Sequence, residues 1–141
     1  IRRKVLGDAH VDRAVASANP FTEDFQDLLT RYAWGEVWTR PGLDLRTRSC
    51  ITVAMLVALN RPEERALHIR GAVNNGVTRD ELREVLLQSA VYCGVPAANT
   101  AFNVASEILS SGRWRKLMPT RTSVTRCADR ASSTRARPSR P

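Results

Sequence analysis

The sequence predicts an all-α fold, and three observations carry that prediction. Apolar residues recur at spacings of three and four along most of residues 8–110. No stretch makes a convincing strand. Capping residues, a capping box, a proline-first turn and glycine stops punctuate the chain at intervals of helix length. With 141 residues and 43% hydrophobic content, the chain is sized for a single compact core.

Asp8 is placed to cap a first helix with Val11, Ala14, Val15 and Ala18 on one face, and Asn19-Pro20 stops it. A second helix begins at Thr22, where Phe21, Phe25, Leu28, Leu29 and Tyr32 keep an amphipathic spacing until Gly35. The stretch GEVWTRPGLD, residues 35–44, mixes Gly and Pro with β-branched and aromatic residues, which predicts an irregular connection able to present functional side chains. A third helix runs from about Asp44 to Leu59; its second half is apolar on all sides and is expected to be buried against several neighbours. Pro62 opens a fourth, with Glu63 and Glu64 at the positive end of its dipole and Asn-Asn-Gly at 74–76 ending it. Thr78 and Glu81 form a T-x-x-E capping box with Val77 and Leu82 as the hydrophobic staple, and Leu82, Val85, Leu86 and Ser89 share one face until CGVP at 93–96. The last helix, about Ala97 to Ser110, carries Ala101, Phe102, Ala105, Ile108 and Leu109 and closes at Gly112. That makes about six helices. Trp34, Trp38, Tyr92 and Phe102 add more apolar area than so small a core covers, which predicts a homo-oligomer.

Charge divides the chain into two parts. Residues 1–112 hold 13 Lys/Arg and 13 Asp/Glu, whereas residues 113–141 hold nine Lys/Arg against Asp129, which accounts for the whole formal charge of +8. Residues 1–112 are therefore expected to form the helical domain. Residues 113–141, almost without large aliphatic groups, are expected to be a basic, disordered tail. No aromatic residue interleaves the arginines after Trp114, so an inert extension is expected and a nucleic-acid partner is not. The longest apolar run, CITVAMLVAL at 50–59, is too short to span a membrane and lies in no signal-peptide pattern, which predicts a soluble, cytoplasmic protein. The chain opens on Ile1, which suggests a fragment, a processed chain or a piece of a longer polypeptide.

Cys50, Cys93 and Cys127 form no C-x-x-C pair and no ligand spacing with His10 or His68, so neither a zinc site nor a disulfide scaffold is expected. Cys50 and Cys93 read as small buried hydrophobes. His68 has Glu64 one helical turn before it; taken alone, such a pair is ordinarily solvated helix surface.

Longer stretches carry a resemblance. VLGDAHVDRAV at 5–15, RYAWGEVWTRPGLDLRTRS at 31–49 and NRPEERALHIRGAVNNGVTRDELREVLLQSAVYCGVPAANTAFN at 60–103 together resemble the 4-carboxymuconolactone decarboxylase family of the β-ketoadipate pathway, over residues 1–111. The resemblance implies an alkylhydroperoxidase D-like all-helical subunit, assembled as a homo-oligomer (a hexamer or trimer), with no cofactor and no metal. The wider superfamily includes peroxidases built on a C-x-x-C-x-x-x-H helix. In register with His68, this chain has Arg61 and Glu64 at the cysteine positions, so thiol redox chemistry is not expected.

The implied substrate is a dicarboxylate: a butenolide with one carboxylate on the ring γ-carbon and a second on an acetate arm. When CO2 leaves, the electron pair passes through the ring double bond onto the lactone carbonyl, so the substrate supplies its own electron sink. The protein has to anchor a dianion, stabilise the oxyanion and return a proton. On the resemblance, His68 is the proton donor, with Glu64 orienting it or raising its pKa, and Glu36 is an acid/base partner. Arg48 and Arg70 are the carboxylate anchors, and Trp38 is a wall of the pocket. Arg46 and Arg48 have the structural alternative of pairing with Asp44 or Glu36, and packing is the alternative for Trp38. Asn103 stands where the family usually has histidine. The competing expectation is a non-catalytic or altered-specificity protein of the same fold, a scaffold or small-molecule binder.

Overall fold

The structure is a computed structural model and describes residues 1–111. The expectations for the basic tail and Cys127, and the predicted stop at Gly112, lie outside the described residues. Among the described residues there are seven α-helices and no strand: α1 (Arg2–Leu6), α2 (Asp8–Ala16), α3 (Glu23–Leu28), α4 (Leu45–Ala58), α5 (Pro62–Asn74), α6 (Arg79–Cys93) and α7 (Val95–Ser110). A π-helical segment, Leu29–Val37, continues α3. None of these helices is long and apolar enough to cross a membrane.

α4, α5, α6 and α7 pack on one another around a cluster formed by Val53 and Val57, Ile69 and Ala72, Leu82 and Leu86, and Ala101 and Ala105. Alanines on α7 let its backbone approach closely, and the larger side chains of the opposing helices fill the space left. Local sequence signals fix the ends of these helices. Asp44 Oδ1 accepts from the Thr47 amide at 2.7 Å and starts α4. Thr78 Oγ1 accepts from the Glu81 amide at 3.2 Å while Glu81 Oε2 accepts from the Thr78 amide at 2.8 Å, the reciprocal bonds of a capping box. Val77 and Leu82 flank it, both buried. Gly94, at φ +90°, joins α6 to α7 in a region that L side chains rarely adopt.

α1 is additional to the expected set. Its five residues, RRKVL, are too few to show a helical period, and it exists because α5 offers a seat. Val5 is buried over Gly71, where an added Cβ would stand 3.1 Å from Val5 Cγ1 and 3.2 Å from Val5 O. Asn74 Nδ2 donates to that same carbonyl at 3.0 Å.

Two expectations about burial are corrected. α4 does pack against several neighbours, α5, α6 and α7, but its apolar half is not enclosed on all sides: Val53 and Val57 are buried, whereas Ile51, Met55 and Leu59 are exposed. The amphipathic face of the second predicted helix is likewise uncovered, with Phe21 95% exposed and Phe25, Leu28 and Tyr32 also open. Periodicity reports that a face is apolar and not what covers it, and α3 packs chiefly against its own π-helical continuation. Arg2 ties this arm to α1 through Gln26 Oε1 at 3.1 Å and Thr30 Oγ1 at 3.3 Å.

Candidate functional site

The segment expected to be an irregular connection is in part helical, and its winding builds the site. Residues 35–37 belong to the π-helix, and the Trp38 amide closes it by donating to Ala33 O at 2.9 Å. Thr39 Oγ1 then donates to Gly35 O at 2.6 Å and ends the turn. π-Helical turns are rare and concentrate at functional sites. Here the segment brings Trp34 and Trp38 together, with ring centroids 5.0 Å apart, and sets both against α5. The His68 ring lies 6.4 Å from Trp34 at an interplanar angle of 4°, and 6.4 Å from Trp38 at 26°. Trp34 is buried and its Nε1 has no hydrogen-bond partner among the described residues; Trp38 and His68 are half-buried. Trp34, expected only as core area, joins the candidate site; the W-x-x-x-W spacing of residues 34–38 was the available signal.

Burial among these rings pushes the His68 pKa below its ordinary value, the charge of a protonated His10 lowers it further, and Glu64 opposes both more weakly. The expected rise from Glu64 is thus outweighed by desolvation, because Glu64 is exposed and forms no ion pair with the imidazole among the described residues. In the resting subunit His68 is neutral near pH 7.

The remaining expected site residues are dispersed. Glu36 is exposed on the π-helical segment, and its backbone carbonyl accepts from Thr39 Oγ1 at 3.0 Å. Arg48 is half-buried; its Nη2 donates to Arg40 O at 2.9 Å, two residues beyond Trp38, and its Nε is buried without a partner. Arg46 pairs with Glu81 rather than with Asp44 or Glu36, because Asp44 is engaged in capping α4. Arg70 follows His68 by two residues and so points about 200° away round the helix. It lines a separate groove of about 730 Å³ together with His10, Arg13 and Asn74. Asn103 is exposed on α7. Cys50 and Cys93 are half-buried and unpaired among the described residues, and burial raises the Cys50 thiol pKa. Among the described residues, no group of His, Cys, Asp and Glu is arranged to hold a metal.

Ring stacking around a half-buried imidazole, with unpartnered donors beside it, is an arrangement able to receive an anion. Comparison with known proteins identifies the family. The model of the carboxymuconolactone decarboxylase family matches residues 23–107, a span that contains Trp34, Trp38 and His68. The chain is 49% identical over 108 residues to the 4-carboxymuconolactone decarboxylase of Acinetobacter baylyi, covering 77% of this chain and 81% of the relative. It is 44% identical over 110 residues to the nitrosuccinic acid decarboxylase of Metarhizium robertsii, covering 78% and 77%.

Proposed function

Because this chain belongs to the carboxymuconolactone decarboxylase family, we propose that it is a carboxy-lyase converting 4-carboxymuconolactone to the β-ketoadipate enol-lactone and CO2, in the catabolism of protocatechuate. The observation that carries this reading is the 49% identity extending over 81% of a 4-carboxymuconolactone decarboxylase.

The chemistry asks little of a cofactor. Departure of CO2 from the γ-carbon leaves an electron pair that the lactone carbonyl accepts as a dienolate, and one proton added at the α-carbon completes the enol-lactone. His68 supplies that proton. Its imidazole is neutral at rest, and a dianion arriving in a site from which the indoles exclude water raises its pKa, so the proton is taken up with the substrate. Trp34 and Trp38 wall the site and keep it dry, which strengthens each charge interaction inside. Arg48, fastened to the backbone just beyond Trp38, is an anchor on the same side of the molecule. Glu36 and Arg70, both exposed, are available to a site completed by a second subunit.

A homo-oligomer is supported by the uncovered apolar faces of α3, α4 and the α6–α7 corner, where Tyr92 is 79% exposed; patches of this kind mark interfaces. Unpaired Cys50 and Cys93 suit the reducing cytoplasm, where we place the enzyme.

The 44% identity to a nitrosuccinic acid decarboxylase favours one second reading, in which the acceptor is a nitro group. Both compounds contain a succinate core whose departing carboxylate sits on a carbon conjugated with the electron sink on its loss, directly to the nitro group in one and through the ring double bond to the lactone carbonyl in the other. Incubating the purified full chain with each compound, without added metal or nucleotide, and measuring CO2 release decides between them. Release from 4-carboxymuconolactone well above the spontaneous rate is expected. Release from neither would support the non-catalytic alternative.

A further inference from the structure

A guanidinium lies wholly inside this protein. Arg65 is 0% exposed, on the face of α5 that also carries Ile69 and Ala72, and its Nε, Nη1 and Nη2 have no hydrogen-bond partner among the described residues. No carboxylate pairs with it among the described residues. Burial alone pushes its pKa down, yet an arginine does not escape the cost by losing its proton. An unpaired buried charge is among the most unfavourable arrangements in a core, and a methionine or leucine would fill the same space without that cost. The missing element is therefore an anion.

The neighbourhood indicates which anion. Arg65 precedes His68 by one turn of α5, a spacing that sets their Cβ atoms roughly 5–6 Å apart. Trp34 Nε1 is a second buried donor without an acceptor among the described residues, on the ring that stacks on His68. Among the described residues, the unpartnered atoms of Arg65 and Trp34 are donors, the complement of a carboxylate, which accepts through two oxygens and pairs with a guanidinium in a bidentate fork. We propose that Arg65, assisted by Trp34 Nε1, is the binding site for one substrate carboxylate, and that this is the retained carboxylate of the succinate core rather than the one that leaves.

The choice between the two carboxylates follows from transition-state logic. The departing group loses its charge as it becomes CO2, so a strong ion pair on it stabilises the ground state more than the transition state. The carboxylate on the CH2 arm keeps its charge throughout, and holding it by Arg65 fixes the adjacent reacting carbon near His68. This assignment rests on the carboxy-lyase reading for its catalytic consequence, but the anion site itself is testable without turnover.

The test uses Arg65→Met and Arg65→Lys in the full chain, with succinate as the non-reacting probe and 4-carboxymuconolactone as substrate. Tryptophan fluorescence follows succinate binding, thermal unfolding is recorded without ligand, and KM and kcat are measured separately. Arg65→Met should melt no lower than wild type and keep the same oligomer. It should bind succinate at least 10-fold more weakly and raise KM at least 10-fold, with a smaller loss in kcat, and Arg65→Lys should restore part of the binding. If Arg65→Met instead melts much lower or dissociates, the counter-ion is a carboxylate of the protein and the proposal is overturned. Succinate affinity and KM unchanged from wild type would overturn it equally. A wild-type chain that binds succinate through Arg65 but does not decarboxylate 4-carboxymuconolactone leaves the site standing and removes the substrate reading. Turnover that is indifferent to Arg65→Met does the reverse.

Discussion

Replacing His68 with alanine separates chemistry from packing, because the two contributions differ in size. A positioned proton donor accelerates by about 10²–10⁴-fold, which is about 2.7–5.5 kcal/mol of activation free energy. The packing loss is smaller: the half-buried ring gives up its stacking on Trp34 and Trp38, and with aromatic contacts contributing about 0.5–1.5 kcal/mol each the stability cost is about 1–3 kcal/mol. His68→Ala should therefore lower kcat at least 100-fold while circular dichroism and sedimentation show the same fold and assembly. The pH dependence of stability gives a second readout. The folded-state pKa of His68 lies below its ordinary 6.5, so between those two values the unfolded chain binds more protons than the native one. Stability from this group is present above pH 6.5 and is lost as pH falls through the window, with a slope of at most about 1.4 kcal/mol per pH unit. His10, also held below its ordinary value by burial and by Arg13 and Arg2, contributes in the same direction. His68→Ala should flatten the acid limb of a urea-unfolding series in part, and His68→Ala combined with His10→Asn should flatten it further. Retention of wild-type kcat by His68→Ala, particularly if Asn103→His greatly raised activity, would refute the assignment of the proton donor to residue 68.

Glu64→Gln removes the one field that raises the His68 pKa, so the alkaline limb of the kcat profile should move to lower pH while the maximum changes less. Gly71→Ala sets a new Cβ 3.1 Å from Val5 Cγ1 and 3.2 Å from Val5 O. Overpacking of about 1–3 kcal/mol exceeds the gain of about 1 kcal/mol in helix propensity, so thermal unfolding should shift down by a few degrees; an unchanged or higher midpoint would show that α1 is not seated there. Thr78→Ala removes the hydroxyl that accepts from the Glu81 amide and should cost about 1 kcal/mol in denaturant unfolding, with kcat unaffected.

Helix identity was legible in the sequence wherever the signal was local. The T-x-x-E box at Thr78 and Glu81, Pro62 at the start of α5, and Asp44 as the cap of α4 each act through atoms within one turn, so neighbours in sequence suffice to specify them. Residues 60–81 likewise held the candidate imidazole, because family likeness is written in sequence order. Tertiary structure decided what depends on partners far apart in the chain. α1 is helical because Gly71 and Asn74 seat Val5, 66 and 69 positions away. The π-helical winding set Trp34 and Trp38 against a ring some 30 residues further on. The direction of the His68 pKa shift was beyond a reading of residue types: Glu64, four residues away, predicts a rise, whereas burial, which exists only in the packed chain, produces the fall. Arg65 shows the same division. Its sequence neighbours are two glutamates, Glu63 and Glu64, and only the fold turns it inward, where neither carboxylate follows, because residues one and two positions apart on a helix face different ways.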